Sequence, residues 1–175
     1  LAFSLTIAGI VLGFLFPFDV VHSEERAVSE YELKAAVLYK LLKFVEWPEG
    51  NRKRPYLTVG ILGDDPFGES LGILQNRTVG GRPVAVRRSH SIHSLKHCDV
   101  LFVTRSESER IEGIVRTASS LNMLTVGDAA GFARRGIIIN FYLQDQKLRF
   151  EINVEAAKLL RRLYRPPYEH PYGRG

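Results

Sequence analysis

Three histidines and the only cysteine of the chain are the residues best suited to hold a metal ion. His90, His93 and His97 are spaced so that a continuous helix would carry all three on one face, with Cys98 beside them. Imidazole and thiolate groups are ligands of zinc and copper. The segment is short, however, and residues 89–94 also fit a loop. Exposed or helix-capping histidines are therefore the alternative interpretation, and no metal site is predicted.

Two polar residues follow predicted strands, where open α/β sheets keep catalytic groups. Ser106 comes after the third strand and Asp128 after the fourth. The chain has no Gly-x-Ser-x-Gly motif, however, and no histidine is placed to complete a triad. Ser106 through Glu109 instead fits a capping box, in which the serine caps a helix. The sequence therefore predicts no catalytic residue and no enzyme.

A glycine-containing turn follows the first predicted strand. Gly60 and Gly63 precede Asp64 and Asp65, so two carboxylates stand where a phosphate would bind, and the third glycine of a dinucleotide fingerprint is missing. Electrostatic repulsion disfavours a phosphate site. Asp65 is expected to cap a short helix, and the crevice between Gly63 and Asp128 is the candidate site for an uncharacterised small ligand.

The segment before the last strand pair combines an aromatic residue with two cations. Phe132 is followed by Arg134 and Arg135. Arginine and aromatic residues are enriched at interface hot spots, so we predict that these three residues bind a partner protein. The alternative is a solvated helix end, where arginine also complements the helix dipole.

The length and the first residues limit the class of protein. A chain of 175 residues with 45% hydrophobic residues fits one globular domain. Residues 1–16 form an uncharged apolar run, which is too short for a membrane span and typical of a signal peptide. Residues 1–23 are therefore expected to be a signal peptide or an N-terminal anchor. Export would separate the protein from DNA, so the net charge of +5 does not indicate nucleic-acid binding.

The first helix of the predicted domain is unusually apolar. A capping box at Ser29 and Glu32 starts it, and it should run to about Val45, with Lys34, Lys40 and Lys43 as its main polar residues. Such a helix must be covered on more than one side. The cover is either the rest of the chain or a second subunit, and the residues predicted for self-association are Tyr31, Leu38, Leu41 and Phe44.

Strands and helices alternate along the remaining chain. Apolar runs predict strands at residues 57–62, 84–88, 100–104, 124–127, 137–143 and 148–152. We therefore expect a single α/β domain over residues 24–165, with a mainly parallel, doubly wound (Rossmann-like) sheet. The last two strands are too close for a crossover and must form a C-terminal antiparallel hairpin. Residues 166–175 are expected to be a flexible tail.

Several motifs resemble those of the YfiR family, in the same order and over roughly residues 30–158. They include Glu32–Tyr39, Phe44–Pro48, Gly63–Gly68, Leu124–Asp128 and Arg149–Asn153. The resemblance implies a periplasmic α/β protein, often a homodimer and without a cofactor. The best understood members repress a membrane-bound diguanylate cyclase by binding its periplasmic sensor region, which keeps cyclic di-GMP low.

The chain also departs from that family. In relatives the cysteine matching Cys98 commonly belongs to a disulfide, whereas here it is unpaired, so redox control is not expected. The helix after Ala157 is shorter than in relatives. We expect a periplasmic regulator of an inner-membrane signalling protein, with cyclic di-GMP and biofilm formation as its outputs. The alternative is a periplasmic small-ligand-binding domain, linked to transport, with no cyclase partner.

Overall fold

The computed structural model describes residues 29–47, 54–75 and 77–163, with side chains as far as residue 160. The expected export segment and the expected flexible tail lie outside the described residues. No helix of the described part is long and apolar enough to cross a bilayer.

The described chain forms four α-helices, seven strands and short 3-10 helices. The α-helices are α1 (Glu30–Phe44), α2 (Gly72–Gln75), α3 (Ile111–Ser120) and α4 (Val154–Leu163). The strands are β1 (Leu57–Leu62), β2 (Thr78–Val79), β3 (Arg82–Ser89), β4 (Val100–Val103), β5 (Leu124–Gly127), β6 (Ile139–Gln144) and β7 (Lys147–Ile152). The 3-10 helices are Gly68–Leu71, Ile92–Leu95, Arg105–Arg110 and Ala133–Arg135.

The strands form one mixed, mostly parallel sheet in the order β2-β3-β1-β4-β5-β6-β7. β1, β3, β4, β5 and β6 pair in parallel, whereas β2 and β7 pair antiparallel with their neighbours. β6 and β7 are joined by Asp145 and Gln146, both with positive φ, which matches the two-residue turn that suits a twisted hairpin. The α/β class and the mainly parallel sheet are confirmed.

The prediction of a doubly wound sheet is confirmed only in part. Both faces of the sheet are covered, but only α3 is a full helical crossover between two parallel strands. The connections from β1 to β3, from β3 to β4 and from β5 to β6 use 3-10 turns or a single helical turn instead. The β3–β4 and β5–β6 connections are short, and the longer β1–β3 connection is interrupted by several glycines, which disfavour a continuous helix.

Two apolar layers enclose the sheet. On one face α1 and the segment through α2 pack on alternate residues of the central strands, among them Val59, Ile61, Val100, Phe102 and Val126. On the other face α3 packs on the residues between them, among them Leu62, Leu101 and Val103. Because the central strands are buried on both sides, their sequences are continuous apolar runs.

The predicted capping box of α1 is confirmed. Ser29 Oγ accepts from the Glu32 N–H at 3.1 Å, and Glu32 Oε2 accepts from the Ser29 N–H at 2.8 Å. The buried stripe of the helix contains Ala35, Leu38 and Leu42, and it also contains Lys34. Lys34, one of the main polar residues of the helix, is buried there because a carboxylate elsewhere in the fold binds it.

Two other predicted caps are not formed. The helix after Asp65 begins only at Gly68, and Asp65 Oδ1 instead accepts from the Phe67 N–H at 2.8 Å in a local turn. Ser106 lies inside a 3-10 helix whose N-cap is Thr104, and its hydroxyl bonds to the β1 turn. In both places a tertiary partner or a tighter turn takes the side chain that local sequence assigned to a cap.

Candidate functional site

Asp128 lies at the carboxyl end of β5 and is bound by two side chains of α1. Its side chain is 0% exposed, and its Oδ2 accepts from Lys34 Nζ at 2.7 Å and from the Tyr31 hydroxyl at 2.8 Å. Lys34 also pairs with Glu30 at 2.5 Å and lies 4.3 Å from the Tyr31 ring centroid. We call Glu30, Tyr31, Lys34 and Asp128 the α1–β5 ionic cluster. It fastens the first helix to the edge where open α/β sheets bind ligands.

The cluster raises the pKa values of Tyr31 and Lys34. Burial and the hydrogen bond to Asp128 raise the pKa of Tyr31. For Lys34, burial alone would lower the pKa, but the hydrogen bonds to Asp128 and Glu30 outweigh it, so its pKa lies above the usual value. Lysine is therefore held charged and tyrosine neutral, which suits a structural ion pair rather than proton transfer.

The turn at Gly63 is filled by neighbouring side chains. Gly63 has φ of +96°, and a Cβ built there would lie 2.3 Å from Thr104 Oγ1 and 2.4 Å from Ser106 Oγ. Ser106 Oγ accepts from the Asp64 N–H at 3.0 Å, and the Thr104 hydroxyl donates to the Leu62 carbonyl at 3.0 Å. Near Gly63, where a ligand crevice was expected, the hydroxyls of Thr104 and Ser106 are thus engaged with the β1 turn. One carboxylate oxygen of Asp128 is engaged with α1.

The structure corrects the role of Phe132. Its side chain is 0% exposed and packs on the sheet, so close to Gly127 that a Cβ there would lie 2.7 Å from the ring. A fully buried ring offers no surface to a partner, so the binding prediction carries over only to the arginines. Arg134 is exposed, whereas Arg135 forms a bidentate pair with Glu112 at 2.7 and 3.0 Å. That hydrogen bond lowers the pKa of Glu112 and raises that of Arg135.

The four residues predicted for self-association are divided between core and surface. Leu38 is 0% exposed inside the domain core, Tyr31 is held in the ionic cluster, and Leu41 is half-buried. Phe44, at the end of α1, is 84% exposed. The prediction that α1 has an apolar stripe is confirmed, but most of that stripe packs against the protein's own sheet.

The histidines and Cys98 do not converge. β3 ends at Ser89, and a 3-10 helix replaces the continuous helix that would have aligned His90, His93 and His97, all of which are exposed. Cys98 is a free, buried thiol, and burial raises its pKa to about 11. Within the described ranges no three potential ligands cluster as a metal site would require.

Sequence reasoning missed an exposed apolar surface on the terminal hairpin. Leu143, Phe150 and Ile152 are 50%, 42% and 51% exposed, and they lie on the face that packs against the core at Ile139 and Phe141. In β7, apolar residues alternate with polar ones, which is typical of a strand with one apolar face. Alternation alone could not show that the described chain leaves the outer part of this face uncovered. We call Leu143, Phe150 and Ile152 the hairpin surface.

Comparison with known proteins identifies relatives at the level of a family. A family model described as YfiR/HmsC-like matches residues 31–161, which include α1 except its first residue, the whole sheet and most of α4. This match confirms the resemblance found in the sequence motifs. No protein with curated annotation matches the chain.

Proposed function

We propose, because this chain belongs to the YfiR/HmsC-like family, that it is a periplasmic regulatory protein. It binds the periplasmic region of an inner-membrane signalling protein, a diguanylate cyclase, and represses it, so that cyclic di-GMP and biofilm formation stay low. The observation that carries this proposal is the family match over residues 31–161. The match spans the entire described sheet rather than one motif.

The geometry supports binding rather than substrate turnover. At the carboxyl edge of the sheet, the Ser106 hydroxyl and one carboxylate oxygen of Asp128, Oδ2, form bonds that hold the fold together. A repressor needs a firm scaffold and a surface whose affinity differs between the active and inactive states of its target. The α1–β5 ionic cluster supplies the first requirement, because it fixes the helix that covers half of the core.

The hairpin surface supports the second requirement. Leu143, Phe150 and Ile152 lie on β6 and on the edge strand β7 that pairs with it. Large apolar side chains exposed together commonly mark interaction sites. The 3-10 segment that carries Arg134 adjoins the end of β7, because Asn153 Nδ2 donates to the Ala133 carbonyl at 2.7 Å. We propose that the sensor region of the cyclase binds the hairpin surface, with Arg134 contributing at its margin.

The same family membership supports a homodimer. Of the residues predicted for self-association, Phe44 has the most exposed area, and Leu41 lies one turn before it on α1. We propose that the end of α1 forms the subunit contact. The hairpin surface then stays available to the cyclase.

Deletion and complementation test the proposed function. Deleting the gene should raise cellular cyclic di-GMP, and a plasmid copy of the wild type should restore the low level. Phe150→Gln should fail to restore it, because it places a polar group in the hairpin surface. Arg149→Gln is the matched control, since the neighbouring side chain lies on the opposite face of β7.

The outcomes separate the function from the surface. An unchanged cyclic di-GMP level after deletion would overturn the proposed function. Full restoration by a well-expressed Phe150→Gln protein would overturn the hairpin surface and leave the regulatory role intact. Arg134→Ala should reduce the amount of cyclase sensor region recovered in a pull-down. Phe132→Ala reports on folding instead of binding, because that ring lies in the core.

A further inference from the structure

A small cavity with basic walls lies at the C-terminal end of α1, whereas the ionic cluster lies at its N-terminal end. It has a volume of about 260 Å³. Its lining consists of Lys43 in the last turn of α1, Val45 and Trp47 just after the helix, and Val79, Gly80 and Arg82 from the β2–β3 hairpin. Among these lining residues two are cations and none is acidic. The cavity is therefore suited to an anion.

The tryptophan wall and the arginine are fixed in place by bonds to the fold. Trp47 is mostly buried and its Nε1 donates to the Leu42 carbonyl at 3.1 Å. The Arg82 guanidinium lies 5.7 Å from the Trp47 ring centroid, and its Nη1 donates to the Tyr56 carbonyl at 3.4 Å. A guanidinium held in this way loses little conformational entropy when it binds an anion.

The two cations that line the cavity differ in their surroundings. Asp99 is the buried carboxylate of this region, and it is shared between Arg82 at 3.6 Å and Arg54 at 3.7 Å. Its second oxygen accepts from the Thr58 N–H at 2.8 Å. Lys43, which lines the cavity and is exposed, adds a further positive charge. Asp99 thus pairs with both Arg82 and Arg54, while Lys43 brings its positive charge directly to the open volume.

The size of the cavity narrows the class of ligand. Sites for drug-sized ligands typically measure about 300–1,000 Å³, so this cavity admits a smaller molecule and not a folded segment of a partner. Apolar walls at Val45, Val79 and Trp47 accompany the two cations. We propose that this cavity binds a small organic anion, whose phosphate or carboxylate group pairs with Lys43 and Arg82 while its apolar part contacts Trp47. The site is independent of the hairpin surface proposed for the cyclase.

Trp47 makes the proposal directly measurable, because it is the one tryptophan of the chain. Phenyl phosphate is titrated into the purified protein while tryptophan emission and the heat of binding are recorded. Saturable binding with a change in emission is expected. Phenol supplies the apolar part without the charge, and inorganic phosphate supplies the charge without the apolar part, so both should bind at least tenfold more weakly.

The variants use two lysines of the same helix. Lys43→Gln should weaken phenyl phosphate binding about tenfold, as loss of a charge-assisted hydrogen bond predicts. Lys40→Gln removes an equal charge from another exposed position of α1 that does not line the cavity, and should leave binding unchanged. Circular dichroism of both variants should match the wild type. Absence of saturable binding, equal weakening by both variants, or equally tight binding of phenol would overturn the proposal.

Discussion

The Nζ atom of Lys34 lies 2.7 Å from Oδ2 of Asp128, although 94 residues separate them in the chain, and the two side chains are only 2% and 0% exposed. An ion pair shielded in this way costs desolvation energy that is recovered only while both partners are present. Removing either partner alone should therefore weaken the packing of α1 on the sheet, because the other charge would stay buried and unpaired.

Lys34→Met should destabilise the protein by about 3–5 kcal/mol, because it leaves the Asp128 carboxylate buried without its cation. Urea denaturation would measure this as a lower midpoint. The double variant Lys34→Met with Asp128→Leu should recover part of the loss, since it removes both charges. Arg135→Gln, which breaks the exposed pair with Glu112, is the control and should change little. A small effect of Lys34→Met would contradict a buried ionic cluster.

The Cys98 thiol should react slowly with a thiol reagent in the folded protein. It is buried and its pKa is about 11, so at pH 8 only about one thiol in a thousand is ionised. Reaction with Ellman's reagent should speed up greatly in urea, when burial is lost. Rapid reaction of the native protein would show that the thiol is accessible and the predicted environment is wrong.

Stability should fall on the alkaline side. The Cys98 thiol keeps its proton to about pH 11 in the folded state but releases it near its ordinary pKa of 9.0 in the unfolded chain. Its contribution is therefore complete below pH 9 and is lost as the pH rises toward 11, by at most about 3 kcal/mol. The raised pKa values of Tyr31 and Lys34 act in the same direction above their ordinary values of 10.0 and 10.5.

Denaturation curves at pH 8 and pH 10.5 would measure this slope. Cys98→Ala should flatten it, because the titrating group is gone, while the residual slope in this range mainly reports Tyr31. An identical slope with and without the thiol would contradict the role of Cys98.

Gly63→Ala should destabilise the fold by about 3 kcal/mol or more, because its φ of +96° strains an L-residue and the new Cβ would overlap Thr104 and Ser106. Gly72→Ala is the matched control. Its φ is helical at −55° and its Cβ meets nothing within 4 Å, so it should be neutral or stabilise by about 0.4–1 kcal/mol. Thermal melts of the two variants should therefore move in different directions or by very different amounts.

Phe44→Ser should shift the protein from dimer to monomer if the end of α1 is the subunit contact. Light scattering after size-exclusion chromatography over a range of concentrations measures this. Phe150→Gln serves as the comparison, because it alters an apolar surface at the far strand of the sheet. If the dimer persists in Phe44→Ser but is lost in Phe150→Gln, the hairpin surface and not the end of α1 is the subunit contact.

Local sequence determined the elements and the family. The capping box at Ser29 and Glu32 acts within four residues, and the apolar runs at residues 57–62 and 124–127 match β1 and β5 end to end. These signals depend on hydrogen bonds between close neighbours and on side-chain periodicity, so they can be read without knowing the fold. The family motifs are likewise collinear with the chain.

Tertiary structure alone decided which polar and aromatic residues are buried and which apolar ones are exposed. A lysine in a helix is usually solvent-exposed, and the burial of Lys34 is favourable only because the fold places Asp128 beside it at the end of β5. Phe132 is drawn into the core because Gly127 leaves space for its ring. Phe150 lies on an outer strand that the described chain does not fully cover. Each outcome depends on contacts between residues far apart in sequence, which periodicity and local propensity do not contain.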